Sequence, residues 1–520
     1  MSDKSKESPP PNHCGHDDMY CKVLSAFLAL SSYLIFQIID ITSRHYAVAF
    51  KIPIHNIGIF FDKLFSLRVL LILAGNMIEY GIFHAAGADR DTGDGDKNKG
   101  KRVRRYIAVT AFAGLFCVRV WFLAGLYFSK ELGYHAYVSL SFEGFPFGIS
   151  DSAFMPLIAQ YMSVVAIMFN MTRIFIFVVQ FILDRIWYDN PLLMIKIQAW
   201  ICVLFTGCSV FLWYYFNFVI KDHTFKPPKI ENAKEPEIKK QEYEEIEIND
   251  AESIFDMLID LCFSPDEKKE KEKQKVNQQS KKSDCNALCQ DCKKRVGKDG
   301  IFTLISPLMM YWCLNPYMTF LFPGTVPYAL LKRDKCHRIN MFIPIFDNLG
   351  TLTLFFIDNF GKLFPCWSWH YDLFLLLLVP FPIIFVFALM AMHSRVSAAR
   401  KIISNRTRVG AMTLVMYFSN SFCTPLHYIG MAKYSFRGNP YGFTIQGLQK
   451  VIGGIARSFW AKVSVGYSVT RISLGYHLPK FRPNHRMSKS NLGWYIFRQT
   501  FRKTWADFKG DFVLDMKKYL

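Results

Sequence analysis

Several ionisable side chains lie inside apolar stretches of this sequence, where a charge is costly unless it has a function or a partner. Asp347 and Asp151 are carboxylates in such stretches, and Asp151 precedes Pro156. Arg119 and Arg173 lie near the middle of two further apolar stretches. A charge at that depth must face a protein interior, water or a bound solute. These side chains are therefore candidates for binding a polar solute, a proton or one another.

Each candidate has two interpretations. Asp347 could accept a hydrogen bond from a solute or carry a proton, or it could make a structural hydrogen bond near a helix end. Asp151 could line a site where Pro156 opens the helix, or it could cap the start of a helix after a glycine-rich turn. For Arg119 and Arg173 we expect pairing with Asp151 or Asp347, which would keep the interior neutral.

The elements that position these residues are long apolar segments separated by short polar breaks. A membrane-crossing helix needs about 20 mostly apolar residues, and its backbone must be hydrogen-bonded internally. An all-α polytopic membrane protein with 10–11 transmembrane helices is therefore predicted. The last predicted span is uncertain because it contains Lys450, Arg457 and Lys462. The predicted spans are residues 23–41, 57–83, 106–128, 137–159, 161–186, 192–220, 301–322, 341–364, 372–392, 409–428 and 443–465.

A charged insert divides these spans into two groups. It covers residues 221–299 and combines an acidic stretch with a lysine-rich run, which predicts a mobile loop. The predicted division is a disordered tail at 1–20, a six-helix bundle at 21–220, the loop, a bundle of four or five helices at 300–475, and a basic tail at 476–520.

Composition and motifs exclude several functions. The net charge is +20 and 51% of residues are apolar. The basic residues cluster in loops and in the tail, which predicts contact with anionic lipids and not with nucleic acid. No nucleotide, heme or catalytic-triad motif is found, so we predict neither an enzyme nor a cofactor. Cys285, Cys289 and Cys292 lack a fourth ligand at a standard spacing, which favours reduced or acylated thiols over a metal site.

Three segments resemble the equilibrative nucleoside transporters in order and separation. They are Tyr-Met-Thr-Phe-Leu-Phe-Pro-Gly at 317–324, Ile-Phe-Asp-Asn-Leu-Gly-Thr at 345–351 and Phe-Ser-Asn-Ser-Phe at 418–422. Weaker similarity covers 29–37, 147–151, 161–163 and 175–178, the last two being most similar to protozoan members. The division into six spans, a charged loop and five spans is also similar. The resemblance implies a two-bundle, major-facilitator-like arrangement.

The resemblance implies a multi-pass transporter of nucleosides or nucleobases, in the plasma membrane or an organelle membrane. It would work by facilitated diffusion or by proton-linked alternating access, with Asp151 or Asp347 carrying the proton. The implied substrate-binding residues are Phe36, Gln37, Asp151, Asp347, Thr351 and Asn420.

Four of the motif positions depart from the family. Thr351 replaces an arginine, Asp151 a glutamine, Phe36 a tryptophan and Ser421 a glycine. Without that arginine, and with an added carboxylate, the site would be more acidic. These departures leave two alternatives open: a transporter of another small polar or cationic solute on the same fold, and a multispanning scaffold or surface protein without transport.

Overall fold

The regular structure of the chain is helical wherever the structure describes it, as the sequence predicts. The computed structural model describes residues 14–85, 97–154, 157, 162–219, 302–361, 369–436, 442–476 and 483–520. The predicted mobile loop and its cysteine cluster lie outside the described residues, as does most of the predicted N-terminal tail.

The helices follow the apolar segments closely. The N-terminal part comprises α1 Cys14–Ala49, α2 Ile57–Ala85, α3 Lys97–Phe128, α4 Leu132–Phe142, α5 Gly144–Phe154, α6 Met162–Ile186 and α7 Pro191–Tyr214, with a π-helical turn at Tyr215–Val219. The C-terminal part comprises α8 Phe302–Leu321, α9 Arg333–Gly361, a 3₁₀ segment Trp369–Leu378, α10 Pro380–His393, α11 Ser397–Arg400, α12 Arg406–Phe436, α13 Gly442–Ser473 and α14 Lys489–Asp511, with a 3₁₀ turn at Lys517–Tyr519.

Two predicted spans differ from the structure in their interior. The span at 137–159 is divided at Glu143 into α4 and α5, since Pro146 lacks the amide that a continuous helix would need. The span at 372–392 begins as a 3₁₀ segment, and Pro380 then occupies the first turn of α10, where a missing amide costs nothing.

Within the described residues, four segments are long and apolar enough to cross a membrane. They are Val23–Ala49, Arg102–Phe128, Pro191–Tyr214 and Tyr371–His393. Large apolar side chains on two of them, including Leu204, Phe211 and Leu376, point outward and are exposed in the monomer. Lipid is the solvent that such a surface requires. The protein is an integral, multi-pass membrane protein.

The helices form two bundles with separate apolar cores. One core joins α1–α4, α6 and α7 and includes Leu34, Phe60, Phe122, Tyr137 and Cys202. The other joins α8–α13 and includes Leu321, Phe381, Ala388, Met416 and Val463. The domain bounds given by the sequence stay a prediction.

Close helix packing in the first bundle depends on a small-residue motif. Gly144 and Gly148 lie one turn apart on α5, where the backbone meets α2. A Cβ added at Gly148 would lie 2.2 Å from the Ile72 carbonyl oxygen. Only glycine permits this approach, as in other membrane helix pairs with this spacing. The contact fixes α5, and with it Asp151, against the rest of the bundle.

The uncertain span at 443–465 lies within α13, which packs against α2, α8 and α14. Its Lys462 is buried and pairs with Asp507 and Asp511 of α14. The tail therefore supplies the anions that make this lysine tolerable in the interior. Aromatic side chains of α14, including Trp494 and Trp505, are exposed. That the tail contacts anionic lipid stays a prediction.

Candidate functional site

The two bundles meet through polar side chains on α6 and α9. Arg173 of α6 forms an ion pair with Asp347 of α9, and both side chains are buried. On the same helices, the Asn170 amide donates to Thr351 Oγ1 at 3.2 Å and the Asn348 amide donates to the Asn170 carbonyl at 3.1 Å. We call these five residues the central seam.

The central seam continues onto α12. Thr351 Oγ1 donates to the Ser421 carbonyl oxygen at 3.2 Å. The neighbouring Asn420 is partly buried, and its Oδ1 accepts from Thr424 at 3.5 Å. Two of the motif segments, 345–351 and 418–422, are therefore in contact. Asp347, Thr351 and Asn420 lie on this pair of helices, as the resemblance implies.

Aromatic rings flank the central seam. The Tyr33 and Phe169 rings meet edge to face with centroids 4.3 Å apart. The Arg173 guanidinium lies 5.6 Å from the Phe169 ring centroid and 5.8 Å from that of Tyr417. Rings contribute flat apolar faces, and they also attract a cation placed over them. The seam thus combines a charge pair with surfaces on which a flat solute could stack.

The residues predicted on α1 and α5 lie beside this region. Tyr33 Oη donates to Asp151 Oδ1 at 3.1 Å. Asp151 is inside α5, so its alternative interpretation as a helix cap is wrong: α5 begins earlier, at Gly144. The Phe36 ring lies 5.2 Å from the Arg68 guanidinium. Gln37 is buried, and its Nε2 has no hydrogen-bond partner in the described part of the chain.

The expected partner of Arg119 was wrong. Arg119 binds Glu143 at 2.7 Å instead of Asp151 or Asp347, and it also donates to the carbonyls of Ser31 and Ser32. The other Glu143 oxygen accepts from Arg68 at 2.6 Å. Glu143 can reach both guanidiniums because it lies at the break between α4 and α5. This triad joins helices of one bundle, so it supports the site without crossing the seam.

Asp40 of α1 is a charged group that the sequence reasoning missed. It lies in the electrostatic field of Arg68, Arg173 and Asp347. The sequence feature that could have identified Asp40 is the one that identified Asp347, a carboxylate in an apolar segment. Asp40, however, falls at the end of its predicted span. Arg68 and Arg119 pair with Glu143 and Arg173 pairs with Asp347, and Asp40 and Asp151 add carboxyl groups to the same region.

A second polar contact joins the bundles between α2 and α13. Asp62 Oδ1 accepts from the Gly324 amide at 3.1 Å. Its Oδ2 accepts from Ser464 Oγ at 3.2 Å and from Ser468 Oγ at 2.8 Å. Lys63, the next residue on α2, pairs with Asp507 of α14. Buried charges of α2 are thus compensated by the opposite bundle and the tail helix.

A third contact ties the bundles where α1 ends and α9 begins. Arg44 Nε donates to Asp334 Oδ1 at 2.9 Å, and the Asn340 amide donates to Ser43 Oγ at 3.0 Å. Ser43 also shares a hydrogen bond with Tyr328. The hydrogen bond from Arg44 lowers the pKa of the exposed Asp334 carboxyl below its usual value. We call this set the end contact.

Comparison with known proteins gives no family. Neither a family model nor a curated protein matches the sequence. A D-xylose–proton symporter structure matches at a TM-score of 0.47 and 10% identity, covering 95% of this chain and 96% of that chain. The POT family transporter PepTSo matches at 0.46 and 10%, covering 96% and 99%. At TM-scores below 0.5 these likenesses carry no argument about fold or substrate.

Proposed function

We propose that this protein is a transporter that carries a small polar solute across the membrane between its two helix bundles. The observation that carries the proposal is the central seam. Each bundle has its own apolar core, yet the bundles meet through a buried Arg173–Asp347 ion pair. Burying such a pair costs desolvation free energy that apolar packing would avoid. If the two side chains separate to bind a solute, solute binding explains why the charges are kept in the interior despite this desolvation cost.

The contacts also suggest how the bundles move. The end contact consists of exchangeable hydrogen bonds and the Arg44–Asp334 ion pair, and beside it Tyr328 and Met341 of the C-terminal bundle pack against the apolar core of the first bundle. Opening of the end contact would let the bundles rock apart at one end and expose the central seam. Alternating access of this kind needs no covalent step. Arg173 and Asp347 would then offer five N–H donors and a carboxylate acceptor to the solute.

We propose nucleosides or nucleobases as the solute class. The motif segments resembling that transporter family support this choice, since two of them contact each other through Thr351 and Ser421. Asp347 can accept hydrogen bonds from ribose hydroxyls, and Arg173 can donate to a base carbonyl or ring nitrogen. The rings of Tyr33, Phe169 and Tyr417 can stack against a base. Gln37 adds an amide whose Nε2 has no hydrogen-bond partner among the described residues.

One observation favours a different solute on the same fold. Asp40 and Asp151 add carboxylates near the seam, while Thr351 stands where the family has an arginine. A cationic solute or a coupled proton would satisfy these groups. Because Arg173 already neutralises Asp347, we place nucleosides and nucleobases first and small polar cations second.

The test is uptake of labelled adenosine, uridine and hypoxanthine into vesicles that contain the purified protein. Uptake is measured with and without an inward proton gradient. We expect saturable uptake that Asp347→Asn or Arg173→Gln lowers by roughly tenfold or more, equivalent to at least about 1.4 kcal/mol of solute binding.

The matched control is Asp515→Asn, because Asp515 is a surface carboxylate paired with the exposed Lys518. It should leave uptake unchanged. A folded protein that takes up none of these compounds above empty vesicles would overturn the nucleoside proposal. Uptake of a cationic solute in their place would support the second candidate.

A further inference from the structure

Three metal-ligating side chains converge beside the end contact. His45 is in the last turns of α1, Asp184 is near the end of α6, and His337 is in the first turns of α9. His45 Nε2 lies 3.0 Å from Asp184 Oδ1, and His337 Nε2 lies 2.9 Å from Asp184 Oδ2. The three ligand atoms all lie within 4.8 Å of one another.

The spacing suits a metal ion between the three groups. Zinc binds imidazole nitrogen and carboxylate oxygen at about 2.0–2.2 Å, which places two tetrahedral ligands roughly 3.3 Å apart. The nitrogen–oxygen distances here are already close to that value. The two rings cross at 84° with centroids 4.9 Å apart, and each has its Nε2 beside one oxygen of the Asp184 carboxylate. Small side-chain rotations would complete the coordination.

One buried nitrogen of the cluster lacks an aligned hydrogen bond, and a bound cation would give it a partner. His45 is wholly buried, and its Nε2, although 3.0 Å from Asp184 Oδ1, has no well-aligned hydrogen-bond partner among the described residues. A buried polar atom normally finds a partner, and an unmatched one needs an explanation. A metal ion placed between the nitrogen and the carboxylate would bind the Nε2 lone pair directly.

The carboxylate is also held in place by residues behind it. Gln180 Nε2 donates to Asp184 Oδ1 at 2.7 Å, and the Gln180 carbonyl accepts from buried Gln198. Outer hydrogen bonds of this type orient metal ligands in known sites. Arg44, which directly precedes His45, is directed to Asp334 and Tyr188. Its charge is thus engaged on the neighbouring contact.

We propose that His45, Asp184 and His337 bind a divalent transition-metal ion, with zinc as the best match. Two imidazoles and one carboxylate suit zinc, whereas calcium and magnesium prefer sets of oxygen ligands. Three protein ligands leave a fourth position for water. His45 and Asp184 belong to the N-terminal bundle and His337 to the C-terminal bundle. A bound ion therefore links the bundles, and under the proposed function it would hold this end closed.

The test measures zinc bound to the full-length protein in detergent, after chelator treatment and reloading with zinc chloride alone. Cys285, Cys289 and Cys292 are replaced by serine throughout, so that their thiolates cannot contribute. We expect one zinc per chain and a higher thermal unfolding midpoint when zinc is added. His45→Gln and His337→Gln should each weaken binding by more than tenfold and abolish the stabilisation by zinc.

The matched control is His135→Gln, which removes a partly buried histidine whose Nε2 lies 3.1 Å from the Trp121 carbonyl oxygen and whose ring packs against Trp121 and Gly125. It should retain one zinc per chain. The unfolding midpoint of each variant without zinc shows that it is folded. The proposal is overturned if the starting protein binds no zinc, or if both cluster variants bind it as tightly as the control does. Neither result depends on uptake, so the proposed function is tested separately.

Discussion

The Arg173–Asp347 pair gives the most specific prediction about stability. Asp347→Asn keeps the size of the side chain but removes the negative charge. Arg173 would then be a buried cation between α6 and α9, with Asp40 as the remaining nearby carboxylate. Arg173→Met produces the opposite defect, because Asp347 would lose its only guanidinium partner in the described structure.

The size of the effect follows from desolvation. Removing one partner of a buried ion pair typically costs about 3–5 kcal/mol, since the other charge is left uncompensated. Asp40 can offset part of this for Asp347→Asn, so we expect about 3 kcal/mol there and about 4 kcal/mol for Arg173→Met. The double variant Arg173→Met/Asp347→Asn removes both charges. It should cost less than the sum of the single changes by at least about 2 kcal/mol.

The assay is reversible unfolding in mixed detergent micelles, followed by tryptophan fluorescence, with Asp515→Asn as the surface control. That control should change the free energy of unfolding by less than about 0.5 kcal/mol. The double variant should recover stability without recovering uptake, which separates the structural role of the pair from solute binding. Single costs below about 1 kcal/mol that add in the double variant would refute the buried, compensated pair.

Three further predictions concern the supporting contacts. Gly148→Ala should lower the free energy of unfolding by about 1–3 kcal/mol, because the added Cβ would meet the Ile72 carbonyl oxygen. Gly81→Ala is the control and should not lower it, because a Cβ at that position meets nothing within 4 Å. Unfolding in urea or detergent measures both variants. Glu143→Gln should cost about 3–5 kcal/mol through uncompensated Arg68 and Arg119, and equal stability in unfolding experiments would contradict the triad. The lowered pKa of Asp334 means that its ion pair stabilises the fold above the usual carboxyl pKa and is lost as the pH falls through the lowered value. Unfolding from about pH 6 down to about pH 3 should show a contribution of at most about 1 kcal/mol that Asp334→Asn removes.

The helices were predictable because a helix that crosses a membrane needs a long apolar segment, and such segments can be recognised in the sequence. The predicted start and end of α2, residues 57 and 83, lie within two residues of its observed bounds at Ile57 and Ala85. The division of the fourth span at Glu143 was not predicted, although Gly144 and Pro146 follow directly. Helix periodicity alone does not show where a backbone bends to bring two guanidiniums onto one carboxylate.

Site residues were predictable as types, and one pair, Arg173 with Asp347, was among the expected pairings, whereas the partner of Arg119 was not. A charge in an apolar segment identified Asp347, Arg119 and Arg173 as buried groups with partners. The partner of Arg119 depends on which helices are adjacent, and Glu143 lies only 24 residues away in the sequence. His45 and His337 lie at or beyond the ends of their predicted spans, where histidine is unremarkable in composition. Only the folded arrangement brings them to Asp184.

Motion of the two bundles is the central claim, and restraining that motion tests it most directly. In a background without reactive cysteines, Arg44→Cys and Asp334→Cys place two thiols across the end contact. A short bifunctional thiol reagent that can later be reduced then links the bundles in vesicles showing saturable solute uptake. We predict that cross-linking abolishes uptake, that reduction restores it, and that neither single variant responds. Undiminished uptake by the fully cross-linked protein would contradict the account.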